Sequence, residues 1–366
     1  MSVAVPFSAG HITRVPLTDI CTQFGAARVR AAVASVDAAA HTLTCDNGQV
    51  VHYDRLILAT GARTRPAYVS ATTFSDADPV QLNGLLRDIE QGYCASVALV
   101  VPPAGSWALP VYELALMLAR YVREVAADDV PLHLVTPESA PLAIFGPQAS
   151  AAVADLLDEA GVIMHAGSYA AIERGGRLLL TPGDRQLEVA RVVAMPIIVG
   201  RAIAGVPADD HGFVPVDTHC RVRGLENVYA VGDNADFPVK QGGLATQQAD
   251  TAARDIAADA GAPVDAVPFR PVLRGMLLTG AAPRFLRHAA SGGDGESRFS
   301  EDQLWWPPTK VVGHYLAPWL ARATGVETTQ PPRHGLEVEV ELEDDRDARP
   351  LALEPLGELP RHHGRW

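Results

Sequence analysis

Apolar residues run without polar interruption in Leu56-Ile57-Leu58-Ala59, Val97-Ala98-Leu99-Val100-Val101 and Val192-Val193-Ala194-Met195. Runs of this length suit strands covered on both faces, as in a parallel sheet. Elsewhere the pattern alternates. Val33 to Val36 and His41 to Cys45 read as short strands, and Asp46-Asn47-Gly48 as a tight turn, because Asn-Gly tolerates the positive φ of such turns. Gln49 to Tyr53 then returns, and Arg55 to Gly61 is the first buried strand, ending in the small pair Thr60-Gly61 that lets another group approach the backbone.

A helical spacing takes over at Val111 to Glu124. Leu132 to Val135 reads as a strand, Ala149 to Gly161 as a helix stopped by its glycine, and Val162 to His165 as a strand again. This βαβαβ alternation predicts an α/β fold with a doubly wound parallel sheet. Arg177 to Leu180, the turn at Pro182-Gly183-Asp184, Gln186 to Ala190 and the run Arg191 to Pro196 then repeat the pattern of Cys45 to Thr60, about 136 residues on. A hairpin feeding a buried strand thus occurs twice, which predicts two related domains. Val228 to Val231 and a helix from Gly243 to Ala260 return the chain to the first of them. Residues 268–325 carry aromatic and proline-rich segments, among them Leu304-Trp305-Trp306-Pro307-Pro308, and 291–296 reads as a loop.

Composition narrows the picture. The chain has 366 residues, 48% of them apolar, with mean hydropathy +0.08, enough for a packed core and two domains. The net charge of −13 argues against nucleic acid as a partner. Ten acidic and five basic side chains lie between Glu327 and Trp366, so −5 of that charge sits in a proline- and charge-rich tail that reads as flexible or as one edge strand. Cys21, Cys45, Cys94 and Cys220 form no CxxC or CxxxxC pair and read as reduced thiols in a cytoplasmic protein. No run approaches the roughly 18 apolar residues of a transmembrane helix, the N-terminus has no signal-peptide pattern, and no metal site is expected.

The stretch VYAVGDNADFPVKQGGLATQQAD, Val228 to Asp250, carries the most chemistry. Gly232-Asp233 follows an apolar strand, at the end of a sheet where ligands bind in open α/β folds. A carboxylate there can accept hydrogen bonds from hydroxyls. The helix opening at Gly242-Gly243 offers free N–H groups and the positive end of its dipole, suited to a ring that gains negative charge. A turn or cap aspartate is the plainer reading of the same residues.

Together with YDRLILATGAR, Tyr53 to Arg63, this stretch resembles the FAD/NAD(P)-binding pyridine nucleotide-disulfide oxidoreductase superfamily, in the branch of type II NADH dehydrogenases and sulfide:quinone oxidoreductases. The resemblance covers roughly residues 5–325. It implies two interleaved, Rossmann-like dinucleotide-binding domains. Residues 1–92 and 208–267 would bind FAD, 93–207 would form an NAD(P)-binding-like domain, 268–326 an aromatic C-terminal interface segment and 327–366 the acidic tail. It implies an FAD-dependent oxidoreductase passing electrons from an unidentified donor, NAD(P)H among the options, to a quinone or another small acceptor. Asp233 with Gly232 would contact the ribityl and phosphate part of FAD, Thr60 and Gly61 would lie beside the flavin-adenine backbone, and Gly242, Gly243 and Leu244 would face the flavin pyrimidine edge. Lys240, Gln247 and Gln248 become candidates for the reaction itself, alongside their plain readings as solvated or helix-surface residues. A homodimer, or contact with the inner face of a membrane through Trp305, Trp306, His314, Tyr315 and Trp319, is also implied, beside simple packing of those aromatics against the flavin domain.

Three departures qualify the resemblance. The family opens on a strand, a G-x-G-x-x-G turn and a helix, and no segment here matches, so the first βαβ unit of the FAD domain is expected to be missing. The turn after Val97 to Val101 is Pro-Pro-Ala-Gly-Ser-Trp, in which Gly105 alone suits a pyrophosphate, while Glu138 stands where a ribose-binding acid would. The paired cysteines of the disulfide reductases are absent. A non-catalytic, N-terminally incomplete remnant that binds a ligand or partner is therefore the second reading.

Overall fold

A computed structural model describes residues 7, 15–75, 80–103, 107–127, 129–173, 175–289 and 297–325. The glycine cluster at 292–295, Gly105 and the acidic tail lie outside the described residues, which all fall within one compact unit, Met1–Thr328.

A short helix, α1 (Leu17–Gln23), buries none of its residues. Three antiparallel strands follow, β1 (Val33–Asp37), β2 (Thr42–Cys45) and β3 (Val50–His52), with Gly48 at φ 83° supplying the turn that the Asn-Gly pair predicts. The chain then enters β4 (Leu56–Leu58), β5 (Arg63–Arg65) and β6 (Thr72–Thr73). Helix α2 (Val80–Glu90) packs Leu82, Leu85, Leu86 and Ile89 inward, the i, i+3, i+4, i+7 stripe of an amphipathic helix.

The large sheet comes next. β7 (Val97–Val100), helix α3 (Leu109–Glu124), β8 (Leu132–Val135), helix α4 (Pro147–Glu159) and β9 (Val162–His165) alternate as the pattern predicts. Gly161, at φ 74°, ends α4 in the left-handed conformation that a helix stop favours. A second antiparallel trio, β10 (Tyr169–Ile172), β11 (Arg177–Thr181) and β12 (Arg185–Glu188), precedes β13 (Arg191–Ala194). Strands β6, β13, β7, β8 and β9 lie in that order in one parallel sheet. All four residues of β7 are buried, as an unbroken apolar run requires between helices on one face and the β10–β12 trio on the other.

The internal repeat is real at the level of structure. An antiparallel trio leads into a parallel strand twice, β1–β3 into β4 and β10–β12 into β13. After β14 (Ile197–Val199), which pairs antiparallel with β5, the chain reaches β15 (Val228–Ala230) and helix α5 (Gly242–Asp259). β15 pairs parallel with β4, Leu58 beside Ala230.

One expectation needs correction. The run Arg55 to Gly61 is not a strand buried on both faces. β4 spans three residues and Ile57 is 43% exposed, because among the described residues β4 and β15 form a sheet of only two strands that leaves one side of Ile57 uncovered. The segment after 268, read only as aromatic and proline-rich, has regular structure. It holds the antiparallel sheet β16 (Val272–Leu277), β17 (Arg284–Ala289) and β18 (Ser297–Ser300), and then helix α6 (Leu316–Ala323). All four cysteines are free.

One cluster ties β15 to α5. The Asp255 carboxylate, 1% exposed, accepts two hydrogen bonds from the Arg221 guanidinium at 2.6 and 2.9 Å and one from the Tyr229 hydroxyl at 2.8 Å. Burial pushes the carboxyl up, but the hydrogen bonds from Arg221 and Tyr229 outweigh it and hold the group below its usual range. A carboxylate with a depressed folded-state value stabilises the fold above its unfolded value near 3.9 and loses that contribution as pH falls through the folded value. Asp255→Ala leaves Tyr229 and Arg221 without their acceptor and is expected to cost about 3 kcal/mol. Chemical denaturation followed by circular dichroism checks this, and the deficit should shrink when the comparison is repeated below about pH 3.

Candidate functional site

The parallel pairing of β4 with β15 brings both strand ends out of the sheet on the same side. Thr60 and Gly61 follow β4; Gly232 and Asp233 follow β15 in a single 3-10 turn, Gly232–Asn234. Gly232 sits at φ 76° and Gly61 at φ 65°, conformations that suit glycine. Two side chains fix the Gly-Asp turn. Gln248 Oε1 accepts from the Gly232 N–H at 2.7 Å, and the fully buried Asn234 donates from Nδ2 to the Leu58 carbonyl at 2.9 Å. The turn's shape thus depends on α5 and on β4 at once.

Beside this turn lies a cavity of about 330 Å³. Asp233, Lys240, Gln241 and Gly242 line it from the β15–α5 connection, and Arg274 and Lys310 from the C-terminal segment. Apolar side chains of Trp107, Leu109, Met195, Ile198 and Val311 complete the wall. Helix α5 begins here. Gln241 is its N-cap and its Oε1 accepts from the Leu244 N–H at 2.8 Å. That leaves Gly242, in the first turn and on the cavity wall, at the positive end of the helix dipole.

Three cations, Lys240, Arg274 and Lys310, line the cavity together with Asp233. Lys240 Nζ donates to the Ala235 carbonyl and lies 3.7 Å from the centre of the Phe213 ring. Burial pulls its ammonium down to about 8, against the opposing pull of Asp233, Asp236 and Asp209. Lys310 Nζ donates to Glu113 Oε1, which also accepts from the Leu278 N–H at 3.0 Å. Glu113 is fully buried within α3, and its Oε2 has no hydrogen-bond partner. Burial raises its carboxyl above the ordinary range, with Lys310 pulling the other way.

The site residues read from the sequence distribute unevenly. Asp233, Gly242 and Lys240 meet at the cavity. Thr60 lies at the end of β4 with its Oγ1 buried and without a partner, and a Cβ built on Gly61 would meet nothing within 4 Å. Gly243 and Leu244 are in place on α5, but Leu244 is a core residue, 1% exposed, and its N–H serves the cap. Gln247 and Gln248 do not line the cavity. Gln247 holds both the N–H and the carbonyl of Val272 at 3.0 Å, tying α5 to β16, while Gln248 holds Gly232. Glu138 lies apart, at the end of β8, where it accepts from Tyr112 Oη at 2.6 Å and Thr136 Oγ1 at 3.2 Å. No cluster of His, Cys, Asp or Glu suited to a metal exists among the described residues.

Sequence reading missed Gln241, Glu113, Lys310 and Arg274. Glu113 was open to discovery, being a lone acid in the otherwise apolar stretch Leu109 to Ala119. Lys310 and Arg274 reach the site only through the tertiary course of the C-terminal sheet, which no local pattern announces.

An "NADH dehydrogenase-like protein" of Mycobacterium tuberculosis is 30% identical over 235 residues, 61% of this chain and 58% of the relative. The ferredoxin reductase component of chlorobenzene dioxygenase from a Cupriavidus species is 24% identical over 251 residues, 64% of this chain and 57% of that one. The chain therefore spans a little under three fifths of the curated relatives it matches. Among solved structures, the sulfide:quinone oxidoreductase of Aquifex aeolicus superposes with a TM-score of 0.73 at 17% identity, covering 92% of this chain and 90% of its own. Putidaredoxin reductase, in its complex with putidaredoxin, gives 0.56 at 16% identity, with 80% and 72% covered. At such identities the shared property is the fold. The family profile described as pyridine nucleotide-disulphide oxidoreductase matches residues 8–255, well over half of the sequence, and the chain belongs to that family.

Proposed function

We propose that the protein is an FAD-dependent oxidoreductase that passes an electron pair to a quinone or another small planar acceptor. The observation that carries this reading is the parallel pairing that sets the β4 and β15 ends side by side: a buried, unpartnered Thr60 Oγ1 and open space at Gly61 follow one strand, and Asp233, on the wall of a cavity that a helix N-terminus also lines, follows the other. These residues suit the flavin half of FAD. An orphaned hydroxyl and a carboxylate can each take a ribityl or phosphate-side hydrogen bond, and glycine at 61 removes the side chain that would fill the approach. Family membership and the NADH dehydrogenase-like and ferredoxin reductase relatives support the same class of chemistry.

When bound, the flavin would supply the two-electron chemistry and the protein the orientation and charge. Asp233, held by the Gln248–Gly232 hydrogen bond, would position hydroxyls. Gly242 and the α5 dipole would favour negative charge at the adjoining ring edge. Lys240 and Lys310 would add positive charge at the cavity wall, with Lys310 held in place by the buried Glu113. The apolar wall of Leu109, Met195, Ile198 and Val311 excludes water and suits an apolar, planar acceptor. No described helix is long and apolar enough to cross a membrane. Exposed Tyr315 and Leu316 at the start of α6 support peripheral contact with a membrane surface as the place where an apolar acceptor is met.

Purified protein should carry flavin absorption near 450 nm, and Asp233→Ala should lose FAD affinity by about tenfold, the worth of one hydrogen bond to a charged group. Fluorescence titration of the protein with FAD checks both; full FAD affinity in Asp233→Ala would remove this site from the reading.

The reaction should also depend on Lys240. Its ammonium is present below about pH 8 and lost above it. The two-electron midpoint potential, measured by spectroelectrochemistry, should therefore gain extra downward slope above pH 8. Lys240→Met should lower the potential at pH 7 by about 30 mV, equivalent to roughly 1.4 kcal/mol, and abolish that inflection, whereas Lys240→Arg should keep the higher potential.

A further inference from the structure

The second nucleotide-type cleft, at the carboxyl ends of β7 and β8, differs from the first in what it offers a ligand. We infer that it is closed to NADH and NADPH, and that Trp107 is the residue that closes it, so the protein takes its electrons from a donor with no adenine dinucleotide. The inference rests on the flavin reading above and concerns the donor side of the same site.

A dinucleotide in this position needs three things: backbone N–H groups for its pyrophosphate, a carboxylate with oxygens open to ribose hydroxyls, and room. Among the described residues the first is depleted. β7 runs into Pro102-Pro103, neither of which has an N–H, and α3 opens with Leu109-Pro110, so a third N–H is missing from the helix start itself.

The second is engaged at one of its two oxygens. Glu138 Oε2 accepts from Tyr112 Oη at 2.6 Å and from Thr136 Oγ1 at 3.2 Å, and the Glu138 carbonyl accepts from the Gly167 N–H at 2.8 Å. Tyr112 is fully buried on α3, so it cannot swing away without opening the core. The carboxylate thus serves as the acceptor for a buried phenol and spans the cleft from β8 to α3. Both bonds fall on Oε2, so a ribose that takes the two carboxylate oxygens together, one hydroxyl on each, would have to compete with the Tyr112 bond.

The third is absent. The cavity beside Glu138 measures about 150 Å³, half the lower end of roughly 300 Å³ for ligand pockets. Apart from Glu138 its walls are apolar: Val101, Trp107, Ala108, Pro137, Leu142 and Ile144. Trp107 and Val101 also line the 330 Å³ cavity beside Asp233, so the indole stands in the partition between the two. Its position is fixed from behind. The indole meets the Phe145 ring edge-on, centroids 5.8 Å apart, and Phe145 is fully buried against Gly275, where a Cβ would fall 2.8 Å from the ring. A nicotinamide ring in the larger cavity with its adenylate over β8 would have to pass through Trp107.

Binding and reduction test this separately. Isothermal titration of the purified protein with NADH and with NADPH, up to about 1 mM, the upper end of usual KM values, should give no saturable heat; a Kd of about 100 µM or tighter for either would overturn the inference. Anaerobic addition of NADH should leave the 450 nm band intact over minutes while dithionite bleaches it. Rapid bleaching by NADH would also overturn it, whereas a protein with no such band fails the flavin reading instead and leaves the titration as the judge. Trp107→Ala should gain NADH binding, or at least tenfold in bleaching rate, and Trp107→Phe should not. A folded, flavin-loaded Trp107→Ala that gains neither would remove the role assigned to Trp107. If that variant does not fold, the two wild-type measurements still decide whether the cleft is closed.

Discussion

The parallel pairing of Leu56–Leu58 with Val228–Ala230 is the constraint on which the site depends. It joins segments separated by some 170 residues, and it sets Thr60-Gly61 and Gly232-Asp233 side by side. Closing so long a loop is cheaper than its length suggests, since each doubling adds only about 0.6 kcal/mol. The intervening chain also meets its own cost. It builds a five-stranded parallel sheet with a separate core, and it leaves and returns through one short antiparallel pair, Arg63–Arg65 with Ile197–Val199. The insertion therefore begins and ends at the same place and need not strain the two-stranded sheet that it interrupts.

Charge is the second organising element. Burying the Glu113 carboxylate is costly, and Lys310 and the Leu278 N–H together offset part of that cost. Both partners come from the C-terminal segment, which is thereby fastened to α3 at the cavity wall. What the acid adds is a fixed position for one cation of the set that surrounds Asp233, and with the α5 dipole that set makes the cavity favourable for a group that acquires negative charge.

Much of the fold was legible in the sequence, for physical reasons that can be named. Leu132–Val135 and Val162–His165 were read to the residue because each is an apolar run between strong punctuators, and the repeated hairpin-plus-strand showed through its two turn signals. Other elements had a signal that went unread. Leu82, Leu85, Leu86 and Ile89 mark α2 at helical spacing, and β16 buries every second residue, although its arginine and glycine break the apolar pattern. Ile57 shows the limit of the apolar-run rule, which reports that a strand suits two covered faces and not that both are covered.

The glutamines of α5 show why site residues are harder to read than elements. Gln247 and Gln248 are adjacent polar residues on the helix that faces the site, so they invite a role toward a ligand. The structure uses their amides for backbone instead, Gln247 on Val272 and Gln248 on Gly232. An amide carries both donors and an acceptor, so one side chain can replace a missing strand neighbour, and no sequence pattern separates that use from ligand binding. The consequence reaches the chemistry. Because Gln248 holds the Gly232 N–H, the turn that aims Asp233 is fastened to the helix whose first turn lines the same cavity. A ligand that engages both meets one preorganised unit, positioned by packing and hydrogen bonds made before it arrives.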